Sequence, residues 1–228
     1  QVVDVIRQAA QANAAEAPAL RRVAALVVME FANEWLWKDA NQTGIMFSPL
    51  ASGGTGTGKH IAHIAADKMM PVSLELGGKS ATMVLADADL EHAVNGVLYG
   101  IFSSSGEACI AGSRLFVARP LYAEFMDRLA AKTATLRVGD PADERTQMGP
   151  LITAKHRESI ERYVALGRSE GASLRCGGVR PEGAVYERGN YYTPTILEGL
   201  NNSAQICQEE IFGPVLVLIP FDDEADAI

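Results

Sequence analysis

Short apolar runs alternate along this chain with helical segments of about 15 residues, and that alternation limits the fold more than any other feature. Val72–Leu76, the run ending at Val84, Leu115–Ala118, a segment after Gly171, Tyr191–Leu197 and Val215–Phe221 read as strands. Lys59–Met69, Asp87–Phe102, Leu121–Thr135 and Thr153–Glu170 read as helices, with Asp87 and Asp89 where carboxylates suit a helix N-terminus. Residues 1 to about 40 also read as helix, broken near Pro18. Strands interleaved with helices in this way predict an α/β fold, a sheet with helices packed on its faces. Internal repeats and low-complexity linkers are absent from the sequence.

Composition narrows the function classes. With 228 residues, 48% of them apolar and 21% charged, the chain suits one large domain or two small ones and is too hydrophobic for intrinsic disorder. The net charge of −8 speaks against nucleic acid or an anionic membrane as partner, because both reward clustered Lys and Arg. Val23–Met29 is among the longest apolar runs, well short of the ~18–20 residues of a membrane span. The first residues lack the pattern of a signal peptide. Cys109, Cys176 and Cys207 are too scattered for a disulfide framework or a zinc knuckle, so a cytoplasmic, reducing compartment is expected.

Three segments carry residues suited to chemistry. Cys109 sits in Ser-Ser-Ser-Gly-Glu-Ala-Cys-Ile-Ala-Gly-Ser-Arg, a loop of small residues. A nucleophilic thiol needs an approachable sulfur and nearby backbone N–H groups for a developing oxyanion, and small neighbours permit both. A cysteine is equally a common, inert core residue, so the loop alone leaves both readings open. Glu75, in Leu-Glu-Leu-Gly-Gly-Lys, is either a general base at a strand end or a solvent-facing residue before a turn. Gln208–Pro214 reads Gln-Glu-Glu-Ile-Phe-Gly-Pro, which suits a ribose and a flat ring, or an acidic loop with a core phenylalanine.

Taken together, these segments resemble the aldehyde dehydrogenase superfamily. The glutamate motif, the Cys-Ile-Ala-Gly-Ser-Arg motif 34 residues after Glu75, and Glu-Glu-Ile-Phe-Gly-Pro occur in the family's order and spacing. Gly139-Asp-Pro, Gln147-Met-Gly-Pro-Leu, Gly177-Gly and Tyr192-Thr-Pro-Thr-Ile agree with it, and the resemblance runs from Gly53 to Ile228. It implies an aldehyde dehydrogenase-like catalytic domain over residues 75–228. Before it, residues 1–74 would be an incomplete, Rossmann-like nucleotide-binding portion in which 1–50 are not assignable.

The resemblance also implies roles. Cys109 would attack the aldehyde, hydride would pass to NAD or NADP, and Glu75 would activate water to hydrolyse the resulting thioester. Glu210 would hold the nicotinamide ribose, Phe212 would flank the ring, and the Leu76 carbonyl would orient the carboxamide. Gly54 would lie in the turn facing the cofactor's phosphates, and Ser103 would face the substrate tunnel, with room for bulky or aromatic aldehydes. Family members are homodimers or homotetramers, so the full-length form is expected to be one. A coenzyme A-acylating dehydrogenase and a catalytically silent scaffold subunit are the alternatives; Glu75 favours hydrolysis.

The chain departs from the family at Glu107, where many members carry glutamine, and at Ser52, where threonine is usual. The Pro-Trp-Asn segment bearing the family's oxyanion asparagine is missing, and members are about twice as long, so the sequence is expected to represent part of a longer enzyme. His60 and His63 stand three apart on an expected helix but have no completing ligands, and all four histidines read as surface residues. Cys176 and Cys207 read as packed thiols, and Trp35 and Trp37 as helix packing. Lys79, Arg114 and Lys155 read as structural.

Overall fold

The structure, a computed structural model, describes residues 50–228, and the side chains from Gly54 onward. The helices expected before residue 50, with Pro18, Trp35 and Trp37, lie outside the described residues. The chain divides into two compact units, Gln1–Gly77 and Gly78–Ile228.

In the first unit, strand β1 (Leu50–Gly53) and β2 (Ser73–Leu76) pair in parallel, joined by helix α1 (Thr55–Asp67). The sequence places the helix start at Lys59, but Thr55 to Gly58 already form its first turn. Gly54 is the extended N-cap residue, and its carbonyl accepts from the Gly58 N–H at 3.1 Å. Gly58 is buried against β2: a Cβ there would lie 2.8 Å from both δ-methyls of Leu76, which would have to turn aside. The glycine thus seats α1 closely on β2. The helix ends in a Schellman arrangement, with Met70 N–H returning to the Ala65 carbonyl and Met69 to Ala66. Met69 takes the left-handed conformation that glycine usually fills there (φ 53°).

The second unit is a five-stranded sheet in the order β3 (Ala81–Val84), β4 (Arg114–Ala118), β7 (Val215–Phe221), β6 (Thr195–Glu198), β5 (Ser173–Cys176). All neighbours are parallel except β5, which runs antiparallel to β6 at one edge, with a register shift between Leu174 and Cys176. Helices α2 (Leu90–Phe102) and α3 (Arg119–Thr133) contribute to one apolar layer. α4 (Ala154–Ser169) and the short α5 (Gln205–Gln208) contribute to the other. A short C-terminal turn, α6 (Glu224–Ala227), follows β7.

Period-two side-chain placement explains how one strand serves both layers. Leu216 and Leu218 join the cluster with Val94, Ile101, Phe125 and Leu129, whereas Val215, Val217 and Ile219 join Ile160, Val164 and Ile206. A central strand covered on both faces reads as a continuous apolar run, which is why Val215–Phe221 is legible to the residue.

Element starts differ from the sequence reading where a residue caps a helix. Asp89 lies outside α2 and accepts the His92 N–H at 2.8 Å, and Thr153 does the same for His156 at 3.1 Å in α4. α3 begins earlier than expected because Pro120 is favourable in a first helical turn. β6 starts only at Thr195: Thr193 N–H donates instead to the Val179 carbonyl, and Pro194 has no N–H for a ladder.

Parallel pairing has one consequence for function. β3, β4 and β7 start side by side, with Ala81 opposite Arg114 and Arg114 opposite Val217. The segments entering them, Gly78–Ser80, Cys109–Ser113 and Glu210–Pro214, are therefore neighbours at the N-terminal ends of these strands. Arg114 N–H donates to Ser80 O, and Val217 N–H to Ser113 O.

Candidate active site

Cys109 is the exposed cysteine of the chain's three. Burial raises the thiol pKa of Cys176 and Cys207, which favours their neutral form and fits their packed positions. The Cys109 loop is held by its own small residues. Ala111 N–H donates to Ala108 O at 3.0 Å, and Gly112 N–H to Gly100 O at 3.3 Å. Gly112 is buried against β3, where a Cβ would fall 2.2 Å from Thr82 Oγ1. Among the described residues the Cys109 N–H has no hydrogen-bond partner, so it is available to an incoming oxygen.

The approach to this loop is strained. After α2 the chain makes one 3₁₀ turn, Ser103–Gly106, in which Ser104 (φ 51°) and Ser105 (φ 58°) are left-handed, followed by Gly106 (φ 72°). Each non-glycine residue in that region costs about 1–2 kcal/mol. Ser105 is buried and its hydroxyl donates to Gly149 O at 3.0 Å, which compensates part of that cost. Gly106 lies directly on the loop that enters β7: a Cβ at Gly106 would be 2.3 Å from the Gly213 carbonyl oxygen.

That β7 entry loop divides its two glutamates by partner. Glu209 is taken up structurally, accepting from Tyr163 Oη and Gln205 Nε2, both at 2.9 Å. Glu210 Oε1 accepts from the Gly78 N–H at 3.1 Å. Gly78 also stands against the nucleophile loop, since a Cβ there would be 3.5 Å from the Cys109 carbonyl oxygen. Gly78 thus bonds the Glu210 carboxylate through its N–H and has the Cys109 carbonyl on the side where a Cβ would stand. Phe212 follows with left-handed backbone (φ 57°) and a ring that remains 38% exposed. An available carboxylate oxygen two residues from an exposed aromatic suits a ligand with vicinal hydroxyls and a flat ring.

Two charged groups flank this arrangement. The Lys79 amine is pulled down to about 8, mainly by burial, with Arg114 adding to the effect and Cys207 and Glu210 opposing it. Among the described residues its Nζ has no hydrogen-bond partner. Glu107, two residues ahead of Cys109, accepts the Ile152 N–H at 3.1 Å and lies 3.7 Å from His156 Nε2. Burial raises its carboxyl pKa, and the Ile152 N–H and His156 work against that shift.

His156 itself reads from sequence as a surface histidine, but its side chain is only 22% exposed and its Nε2 meets the Phe212 carbonyl at 2.5 Å. The sequence offers one partial signal, Glu107, and no sign of its partner. Ser103 lines a cavity of about 410 Å³ with Tyr99, Phe102, Lys132 and Gln147; Cys109 is not among its walls. In the first unit, Glu75 is exposed on β2 next to Leu76, paired with Ser52, and Gly54 is exposed at the start of α1. His60 and His63 are exposed on α1, and no cluster of potential metal ligands exists among the described residues. No described helix is long and apolar enough to cross a membrane.

The fold and site define an α/β protein in which an exposed thiol, a carboxylate and an open aromatic ring stand on segments that enter neighbouring parallel strands. The comparisons make the class specific. Residues 37–228 match the model of the aldehyde dehydrogenase family, and the chain belongs to that family. A betaine aldehyde dehydrogenase of Brucella ovis is 41% identical over 177 residues, which is 78% of this chain and 36% of the relative. HpcC from Thermus thermophilus is similar at 46% identity with a TM-score of 0.76, over 78% of this chain and 35% of that one. An aldehyde dehydrogenase from Bacillus cereus, solved as an NAD+ complex, is similar at 38% identity with a TM-score of 0.75, over 79% and 36%. The chain therefore spans little more than a third of the length of these relatives.

Proposed function

We propose that the protein carrying this chain oxidises an aldehyde to a carboxylic acid with NAD+ or NADP+, using Cys109 as nucleophile and Glu75 as general base. The observation that supports this reading is Gly78, whose N–H bonds the Glu210 carboxylate and whose missing side chain leaves room for the carbonyl of exposed Cys109, 3.5 Å from where a Cβ would stand. A thiol meant for an aldehyde and a carboxylate meant for a ribose need to stand close together, and a glycine between their segments allows it.

In this mechanism the Cys109 thiolate adds to the aldehyde carbon, and the new oxyanion takes a proton to give a hemithioacetal on sulfur. The N–H of Cys109, without a partner among the described residues, would be the donor to the developing negative charge. A bound nicotinamide would supply the hydride acceptor; loss of hydride and a proton from the hemithioacetal leaves a thioester on Cys109. Glu75 then takes a proton from water, which adds to the thioester carbonyl; collapse expels the thiolate and releases the acid.

The chain's residues fit such a cofactor. Glu210 offers an oxygen for two ribose hydroxyls, Phe212 an exposed ring face, and Leu76 a main-chain carbonyl. The exposed Gly54 lies where the first N–H groups of α1 are open to phosphate. Named relatives act on betaine aldehyde or bind NAD+, which supports an aldehyde substrate and NAD for this chain. Ser103, small and polar, leaves room for a bulky or aromatic aldehyde. A cytoplasmic homodimer or homotetramer completes the reading. The test is Cys109→Ala in the full-length polypeptide: aldehyde-dependent NADH formation disappears while NAD binding persists. Retained turnover overturns the assignment.

A further inference from the structure

We propose that His156 is a positioning residue that ties the cofactor-side loop at Phe212 to the segment presenting Cys109. The inference rests on the functional reading above for what the two loops do, but its structural content is independent of it. Three elements that are far apart in sequence meet at this ring: the nucleophile loop through Glu107, the start of α4, and the β7 entry loop through Phe212.

The geometry fixes the hydrogen's place. Phe212 presents a carbonyl oxygen, which only accepts, so His156 Nε2 carries the hydrogen across the 2.5 Å contact. The same Nε2 lies 3.7 Å from Glu107 Oε1, so the carboxylate stabilises the positive end of that N–H dipole. The His156 and Glu107 side chains are 22% and 16% exposed, so water replaces neither contact freely. The ring also meets Phe212 edge-on, with centroids 6.0 Å apart.

The tether has something to hold. Phe212 is a bulky residue at φ 57°, a conformation its backbone does not prefer. It sits two residues after Glu210 and immediately before Gly213, on which Gly106 is packed. Releasing the Phe212 carbonyl lets this stretch relax toward negative φ, which shifts the Glu210 carboxylate on one side and the Gly106 support of the nucleophile loop on the other. His156 is itself placed by main-chain chemistry, its N–H being the one capped by Thr153 Oγ1 at 3.1 Å.

The experiment compares wild type, His156→Leu and His156→Gln in the full-length polypeptide by hydrogen–deuterium exchange, and by kcat and KM for NAD at saturating aldehyde. Leucine keeps the volume without a donor, and glutamine returns an N–H at comparable reach. In His156→Leu, exchange rises in both 205–214 and 103–110, and KM for NAD rises about tenfold, the equivalent of one lost hydrogen bond in a strained loop, with kcat changed much less. His156→Gln returns both readouts most of the way. A merely structural histidine gives a lower melting temperature with the KM-to-kcat balance unmoved and no rescue by glutamine. Unchanged exchange in His156→Leu, or equal effects of leucine and glutamine, overturns the proposal. Wild type without NAD-dependent activity, but with exchange that responds to His156→Leu and recovers in His156→Gln, sinks the functional reading and leaves the tether standing.

Discussion

Replacing Gly106 by alanine probes the packing that holds the nucleophile loop on the β7 entry loop. Gly106 has φ 72°, so any Cβ there carries the left-handed cost of about 1–2 kcal/mol. The new carbon would also stand 2.3 Å from Gly213 O, 2.4 Å from Gly213 C and 2.7 Å from Pro214 N, where ordinary contacts begin at 3.4 Å. All three are backbone atoms, so no rotamer change relieves the overlap, and the two loops must part by about 1 Å at an overpacking cost of about 1–3 kcal/mol. The expected destabilisation is about 2–5 kcal/mol, among the large effects of single substitutions. Urea unfolding of the full-length protein measures it, and the rate of Cys109 alkylation by iodoacetamide reports the displaced loop. Gly96→Ala is the control: Gly96 is exposed within α2 with open space at the Cβ position, and alanine there stabilises by about 0.5–1 kcal/mol. Should Gly106→Ala unfold at the wild-type urea concentration and alkylate at the wild-type rate, the packing account is wrong.

Two half-buried ionisable groups, Lys79 and Glu107, give pH-dependent predictions of opposite sign. Lys79 releases its proton at about 8 when folded and at 10.5 when unfolded, so between those values the unfolded chain holds more protons and stability rises with pH, by up to about 3 kcal/mol. Lys79→Met removes that rise; unfolding curves for the two proteins that stay parallel from pH 8 to 10 contradict it. Glu107 is raised above the ordinary 4.5, so the folded state holds its proton longer and stability falls as pH climbs from there through the folded value. Glu107→Gln flattens this fall, and a variant whose melting temperature follows wild type from pH 4 to 7 speaks against it.

How much of the fold and site is legible in the sequence depends on whether a residue's partner is local. The apolar run of β7 announces a doubly covered central strand, and the Cys109 loop and Glu-Glu-Ile-Phe segment carry their own residue types wherever they fold. The helix starts near Asp89 and Thr153 are harder to place, because a capping residue and a first-turn residue look alike until the side chain is seen bonding the backbone. Gly58 lies inside α1, one residue before the helix start that the sequence suggests, and its packing neighbour is Leu76 on another strand. His156 escapes notice for the same cause. Its acceptor is a main-chain carbonyl 56 residues away, and any residue type offers one. The left-handed serines at 104 and 105 are equally silent, since serine has no compositional preference for that conformation comparable to glycine's.

Trapping the acyl-enzyme tests the central claim most directly. Glu75→Gln in the full-length polypeptide, mixed with an aldehyde and NAD+ and quenched in acid, is digested and weighed peptide by peptide. If Cys109 is the nucleophile and Glu75 the base, the Cys109 peptide gains the mass of the aldehyde less two hydrogens, one equivalent of NADH appears, and the adduct hydrolyses far more slowly than in wild type. An unmodified Cys109 peptide alongside full NADH release, or an adduct on Cys176 or Cys207 instead, contradicts the account.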